Sequence, residues 1–299
     1  MPSPGELTAP RPGSADDRPD SLGVSDRLRV ATYNAHQSPR LDYTCRFLAS
    51  MNADLYCLQE LVVDDFHHQP RDQTSVLAAW LGLHYFSAYT CLGFRRNAGS
   101  AILSRYPLGE VEILADGRGH RFGLATIIDH SGGQLALICA HFTWVPRPAC
   151  IGSLVSIPFR TAEIRMALGW LKRTGLPGII AGDFNAVAHS PEYWTIARRM
   201  TDCTRAVPMP DRATRPTWGL PTQLDYIFVT DDFETIACRM PYCQVSDHRP
   251  LVADLRFATG RWMKGRDRSH RWISQVGRSK FHRFGRHSQR RPIVRRPGP

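Results

Sequence analysis

No stretch of this 299-residue chain approaches the roughly 18 consecutive apolar residues that a membrane-spanning helix needs. The first residues, MPSPGELTAPRPGSADDRPDS, contain no apolar signal core, so ordinary secretory export is not expected and a cytoplasmic location is. The eight cysteines, at 45, 57, 91, 139, 150, 203, 238 and 243, form no CxxC pair, which removes the basis for a zinc site. Cys57 and Cys139 fall inside apolar runs and read as reduced, buried thiols; nothing in the spacing supports disulfides. There is no internal repeat.

What is present is enough apolar sequence, 42 %, with 22 % charged residues, for one large globular domain. The net charge of +11 is unevenly placed. Residues 260–299 hold thirteen Lys/Arg and a single acid, Asp267, for +12, which leaves 25 basic and 26 acidic residues in the first 259. The chain therefore divides into a Pro-, Ser- and Asp-rich segment at 1–27 expected to be disordered, a nearly neutral domain at 28–258, and a basic tail at 259–299, also expected to be disordered.

Within the domain, apolar patterning predicts strands at 28–34, 54–58, 84–90, 99–104, 109–114, 122–130, 134–141, 178–182, 223–229, 235–240 and 251–257. Helices are predicted at 40–51, 71–82 and 159–172, with a further start at Ser190-Pro191. Ser131-Gly132-Gly133 marks a hairpin turn. Many strands with few helices make an α+β sandwich, although periodicity alone does not count its layers.

A polar residue ends or follows each of six strand-like runs. LRVATYN ends in Asn34, DLYCLQE in Glu60 and LALICAH in His141. GIIAGDFN carries Asp183 and Asn185 two residues apart, on one side of an extended chain. QLDYIFV places Asp225 within an apolar strand, where a carboxylate needs a partner, and an imidazole such as His248 would serve. VSDHRPL supplies Asp247 and His248. Glu60 is of the type that ligates Mg²⁺, and histidine suits acid–base or charge work near neutrality. Taken singly, each block is also ordinary turn or loop chemistry.

Together, in this order, the blocks resemble the endonuclease/exonuclease/phosphatase superfamily over about residues 28–257. The TYN-x-H start is similar to a bacterial branch of it. The resemblance implies a four-layer α/β/β/α sandwich, two packed mixed β-sheets flanked by helices, and hydrolysis of phosphate esters with Mg²⁺ or Mn²⁺. It further implies that Asn34, Glu60 and Asp247 form the metal site. Asp183 would orient or deprotonate the attacking water and Asn185 would hold that water or a phosphoryl oxygen. His141 would contact the phosphate, and His248, oriented by Asp225, would stabilise the developing charge. Abasic-site enzymes commonly have an acid two residues after the first-block Asn; this chain has His36, for which phosphate contact and a loop role are both open.

Two segments bear on the substrate. The tail interleaves Arg with Trp262, Trp272, Phe281 and Phe284, a composition that can track nucleic-acid phosphates or anionic lipid heads. Residues 142–159, FTWVPRPACIGSLVSIPF, carry one charge, Arg147, and are expected either to pack as a covered loop or to form an apolar lip for a lipid or aromatic group. A metal-dependent phosphodiesterase acting on DNA or RNA is the favoured expectation. A phosphatase or phosphodiesterase for phospholipid or another small phosphate ester is the alternative, and a non-catalytic scaffold binding nucleic acid or membrane through the tail is a third.

Overall fold

The computed structural model describes residues 26–258 except 63–71, 90–97, 131–132, 146–148, 216–220 and 244. The expectations for the N-terminal segment up to residue 25 and for the tail beyond 258 lie outside the described residues. The first part of the chain forms β1 (Arg27–Asn34), α1 (Leu41–Met51), β2 (Leu55–Val62), α2 (Gln73–Leu81), β3 (His84–Tyr89), β4 (Ala98–Ser104), β5 (Leu108–Ala115), β6 (Arg121–His130) and β7 (Gly133–His141). There follow α3 (Ala149–Thr174), β8 (Gly178–Asp183), α4 (Pro191–Ala197), β9 (Thr201–Asp202), α5 (Cys203–Ala206), β10 (Asp225–Val229), β11 (Phe233–Arg239) and β12 (Leu251–Phe257).

These strands make two six-stranded sheets, ordered β11-β12-β1-β2-β4-β3 and β5-β6-β7-β8-β10-β9. Both are mixed: β1–β2 and β7–β8 run parallel and their other neighbours antiparallel. β6 and β7 pair down to His130 opposite Gly133, the hairpin expected there, although residues 131–132 themselves are outside the described set.

Alternation of side chains along the strands builds the layers. Leu28 and Val30 of β1 and Leu55 and Cys57 of β2 face Leu135, Leu137, Ile179 and Ile227 of the other sheet in one buried cluster. The residues between them face outward. Ala31, Tyr33 and Tyr56 pack on Leu48, Met51 and Leu77 of α1 and α2. Ile138, Ile180 and Phe228 pack on Ile164, Leu171 and Ile196 of α3 and α4. The result is the four-layer α/β/β/α sandwich.

Local chemistry sets the helix ends. Asp72 caps α2 by accepting from Thr74 N–H at 2.9 Å, and Gly82 closes it at φ 66°. Ser190 caps α4, with Pro191 in its first turn.

Helix α3 departs from the sequence expectation. It begins at Ala149, ten residues before the predicted start, and carries Pro158 internally, so most of the expected apolar loop is helix. The pattern is inverted: Leu154, Val155 and Pro158 face solvent, while Ser156, Arg160 and Glu163 are buried. Periodicity that seeks an apolar buried face misses such a helix. Polar partners sustain it: Ser156 Oγ donates to Gly152 O at 2.7 Å, and Arg160 Nε donates to Glu192 Oε1 of α4 at 2.9 Å. The short β9–α5 unit was not anticipated either; at two and four residues it is below the length at which a period can be read.

Gly182 marks a close approach between strands. It sits opposite Ala140 of β7 with φ +155°, and a Cβ there would lie 1.9 Å from Ala140 O. Backbone cannot yield as a flexible side chain does. Gly182→Ala is therefore expected to destabilise the fold by at least about 2 kcal/mol in denaturant unfolding, whereas Gly117→Ala, with nothing within 4 Å, is expected to change it by less than about 0.5 kcal/mol.

Candidate active site

The inward phase of the strands continues to their ends, and there the side chains change from apolar to polar. Asn34 follows Leu28, Val30 and Thr32; His141 follows Leu135, Leu137 and Cys139; Asp183 follows Ile179 and Ala181; and Asp225 precedes Ile227 and Val229. All four therefore point into the space between the sheets. Pairing sets three of them side by side, His141 opposite Asp183 and Asp183 opposite Asp225.

Asp183, nearly inaccessible, is the point of convergence. Asn34 Nδ2 donates to its Oδ2 at 3.0 Å, from the opposite sheet. His141 Nε2 and His248 Nε2 lie 3.9 and 3.8 Å from the same oxygen. Its Oδ1 accepts from the Asn185 backbone N–H at 2.8 Å. Asn185 is held in turn by its own Nδ2, which donates to Phe142 O at 3.0 Å.

Asp225 and His248 form a second buried pair across the sheets, with Nδ1 and Oδ2 2.7 Å apart. Desolvation pushes the Asp225 carboxyl above its ordinary value, and the imidazolium pulls it back. For His248, burial opposes the charged form, but Asp225 first and then Asp183 outweigh it, and the pKa is raised to about 10. His248 is therefore a cation at neutral pH. Because its folded value exceeds the ordinary 6.5, its contribution to stability is complete below that pH and fades as pH rises toward 10.

Glu60 reaches the same place by a different route. Its position in β2 is out of phase with the inward residues, but the β2–β4 register shifts between Leu58 and Leu61 and Glu60 adopts φ 54°. The bulge turns the side chain inward, where Glu60 Oε1 accepts from Asn34 Nδ2 at 3.1 Å. Asn185 also occupies the left-handed region, at φ 50°. Strain at two non-glycine positions in one cleft is a feature that functional sites retain.

Asp247 lies on the rim. Its Oδ1 is 3.3 Å from His36 Nδ1, and Glu60 Oε2 is 3.8 Å from that same nitrogen. The two carboxylates thus flank the His36 imidazole at the rim, and their hard oxygen donors fit Mg²⁺ or Mn²⁺. All eight residues singled out in the sequence thus gather at one end of the sandwich.

Supporting residues were less visible in the sequence. Thr214 Oγ1 accepts from Leu224 and Asp225 N–H at 3.0 and 3.1 Å and sets the start of β10. Ser246 Oγ donates to Asn34 O at 2.7 Å and accepts from His248 N–H at 3.0 Å, joining two of the blocks. Arg215 Nη2 lies 3.3 Å from Asp247 Oδ2. Ser246 adjoins Asp247 and could have been suspected as a turn residue; Thr214 and Arg215 carry no signal. A further group, Asp116, His120 and Glu163, has ligand-type atoms within 4.8 Å of one another. Glu163 there accepts from Thr143 N–H at 2.9 Å and so fixes the chain just beyond His141.

The geometry predicts the titration of His248. In metal-free protein its ring resonances are expected to stay in the cationic form between about pH 5.5 and 8, while in Asp225→Asn they titrate within that window. Proton–nitrogen correlation spectra of the ring report it, and titration near 6.5 in the unmodified protein would remove the charge assignment.

The model of the Endonuclease/Exonuclease/phosphatase family matches residues 31–248. A solved endonuclease/exonuclease/phosphatase from Beutenbergia cavernae is similar at TM-score 0.64 and 21 % identity, over 78 % of this chain and 72 % of that one. One from Bacteroides vulgatus is similar at TM-score 0.60 and 21 % identity, over 78 % and 99 % of the two chains. A humanized TDP2 of D. rerio is similar at TM-score 0.59 and 18 % identity, over 78 % and 100 %. A comparison with curated proteins returns no match.

Proposed function

The chain belongs to the endonuclease/exonuclease/phosphatase family of metal-dependent phosphoesterases, and on that premise we propose that it is a phosphodiesterase that cuts its ester by in-line attack of water. The observation that carries the reading is the convergence on Asp183: a buried carboxylate beside two imidazoles, one of them cationic, with a strained Asn at one side and Glu60 at the other.

Each residue then has a task. Asp183 orients the attacking water and accepts its proton. Asn185 holds that water or a phosphoryl oxygen. His141 binds the phosphate, and cationic His248, held by Asp225 at 2.7 Å, stabilises charge on the phosphoryl group as the bond breaks. Glu60 and Asp247, with Asn34 alongside, would hold a divalent ion, Mg²⁺ or Mn²⁺, whose chemistry is charge neutralisation at the phosphate. Asn34 also bridges Glu60 and Asp183, so it ties the metal side of the cleft to the water side. A purely binding scaffold leaves these buried charges without an account, since burying ionisable groups without use is costly.

Nucleic acid is the substrate class that the composition of the tail favours: thirteen Lys/Arg interleaved with aromatics in residues 260–299. A phospholipid or another small phosphate ester is the second reading. It is favoured by exposed Trp144, Leu154 and Val155 beyond His141.

Purified protein with Mg²⁺ or Mn²⁺ is expected to cleave at least one of single- or double-stranded DNA, RNA, phosphoinositides and sphingomyelin. Asp183→Asn and His248→Ala are each expected to lower kcat/KM at least about a hundredfold while circular dichroism shows the fold retained. Equal rates in variants and wild type would end the enzyme reading; cleavage of lipids alone would end the nucleic-acid one. Calorimetry adds a readout independent of turnover: Glu60→Gln is expected to weaken divalent-cation binding at least about tenfold. Unchanged affinity would move the ligand assignment away from Glu60.

A further inference from the structure

The helical layer over the second sheet has an outer surface that catalysis does not use. The 26-residue α3 contains one acid, Glu163, which is buried. The one acid of α4, Glu192, is buried against Arg160. The two helices themselves therefore present no carboxylate to solvent, whereas an ordinary solvated helix face mixes both signs of charge; Glu112 of β5 reaches α3 from the neighbouring strand and accepts from Trp170 Nε1 at 2.8 Å.

Two kinds of side chain take their place. Among the described side chains of α3 up to residue 162, the exposed positions are Leu154, Val155, Pro158 and Ala162, one continuous helical stripe, with Leu154 66 % exposed. Met166 extends the stripe, Trp194 of α4 is exposed, and so is Trp144 on the chain leaving β7. Toward the other end stand exposed cations: Arg165, Lys172 and Arg173 on α3, and Arg198 and Arg199 just after α4. Three of these, Arg165, Lys172 and Arg199, rim a groove of about 560 Å³ whose floor includes Leu168, Leu176 and Met200.

We propose that this layer is a docking surface for an anionic membrane. The apolar stripe would sit at the boundary between headgroups and acyl chains, and the five cations would meet anionic headgroups. The contact is peripheral, because no helix among the described residues is long and apolar enough to cross a bilayer. A nucleic-acid partner would engage the cations equally well, but it gives Leu154, Val155 and Met166 nothing to bury against. The pairing of apolar with cationic side chains on the two helices therefore favours lipid.

The apolar end of the surface adjoins the cleft. Trp144 is three residues past His141, and Val145 N–H donates to Ser156 Oγ at 3.0 Å, which ties the exit of β7 to α3. Docking through this face would bring the cleft beside the membrane surface. The inference goes beyond the hydrolytic reading and does not rest on it.

The test uses the full chain with vesicles of phosphatidylcholine, alone or with about one-third phosphatidylserine. Wild type is expected to co-sediment with the anionic vesicles, less so as salt is raised. The Leu154→Asp, Val155→Asp double variant is expected to bind them at least about tenfold more weakly while duplex-DNA binding stays the same. Arg165→Glu with Lys172→Glu is expected to weaken vesicle binding at least roughly fivefold. Trp144→Phe, a conservative change that keeps the test open if the others misfold, is expected to reduce quenching of tryptophan fluorescence by brominated acyl chains. Vesicle binding indifferent to all three variants would place the contact elsewhere, such as residues 259–299, and overturn the proposal. Absence of vesicle binding would overturn it too, as would a loss of DNA binding in the Leu154/Val155 variant.

Discussion

A carboxylate buried between two β-sheets must find its donors there, and Asp183 is that carboxylate. It sits at the end of β8, in the inward phase, where the apolar filling of the sandwich stops. Donors and cations come to it from both sheets: Asn34 from the first, His141 and the Asn185 backbone from the second, and His248 from the loop entering β12. The Asn34–Asp183 bond and the Asp225–His248 pair cross the seam between the sheets. Removing one member leaves a buried charge without its partner, so fold and chemistry are coupled at this end of the molecule. The same packing that makes the sandwich stable also keeps water from screening the charges that the reaction would use.

Much of this was legible from period-two alternation. Counting in twos from Leu28 or Ile179 brings Asn34 and Asp183 to the inner face, so the two-layer core and the polar ends of its strands are one pattern. Strand β12 matches its expected bounds to the residue, and the start of α4 follows from the capping side chain of Ser190, whereas α2, expected from residue 71, begins at Gln73 behind its cap Asp72. Glu60 is the exception that shows the limit. Alternation alone would send it outward, and only the bulge with φ 54° turns it in. Its place in the blocks was visible; the backbone device that makes it useful was not.

The larger miss was α3, and it has a physical cause. Hydrophobic periodicity assumes that apolar residues mark the buried face. Among the described side chains of α3 up to residue 163, the buried positions are Gly152, Ser156, Arg160 and Glu163, the last three held by hydrogen bonds and an ion pair, and Leu154, Val155 and Pro158 are outside. Such a helix reads as a loop until its partners are known. The residues that hold the site from behind, Thr214, Ser246 and Glu163, share this quality: their value lies in contacts between segments distant in the chain. The inverted helix also separates two questions. The polar cleft specifies chemistry at a phosphate, whereas the apolar and cationic outer layer bears on where that chemistry takes place.

The central claim is that one cleft, built on Asp183 between the sheets, holds both the metal and the phosphate. Crystals grown with Mn²⁺ and inorganic phosphate, measured at a wavelength where manganese scatters anomalously, test it directly. The account predicts an anomalous peak against the Glu60 carboxylate and phosphate density between it and the imidazoles of His141 and His248. A peak at Asp116, His120 and Glu163 instead, or phosphate bound away from Asp183, would contradict it.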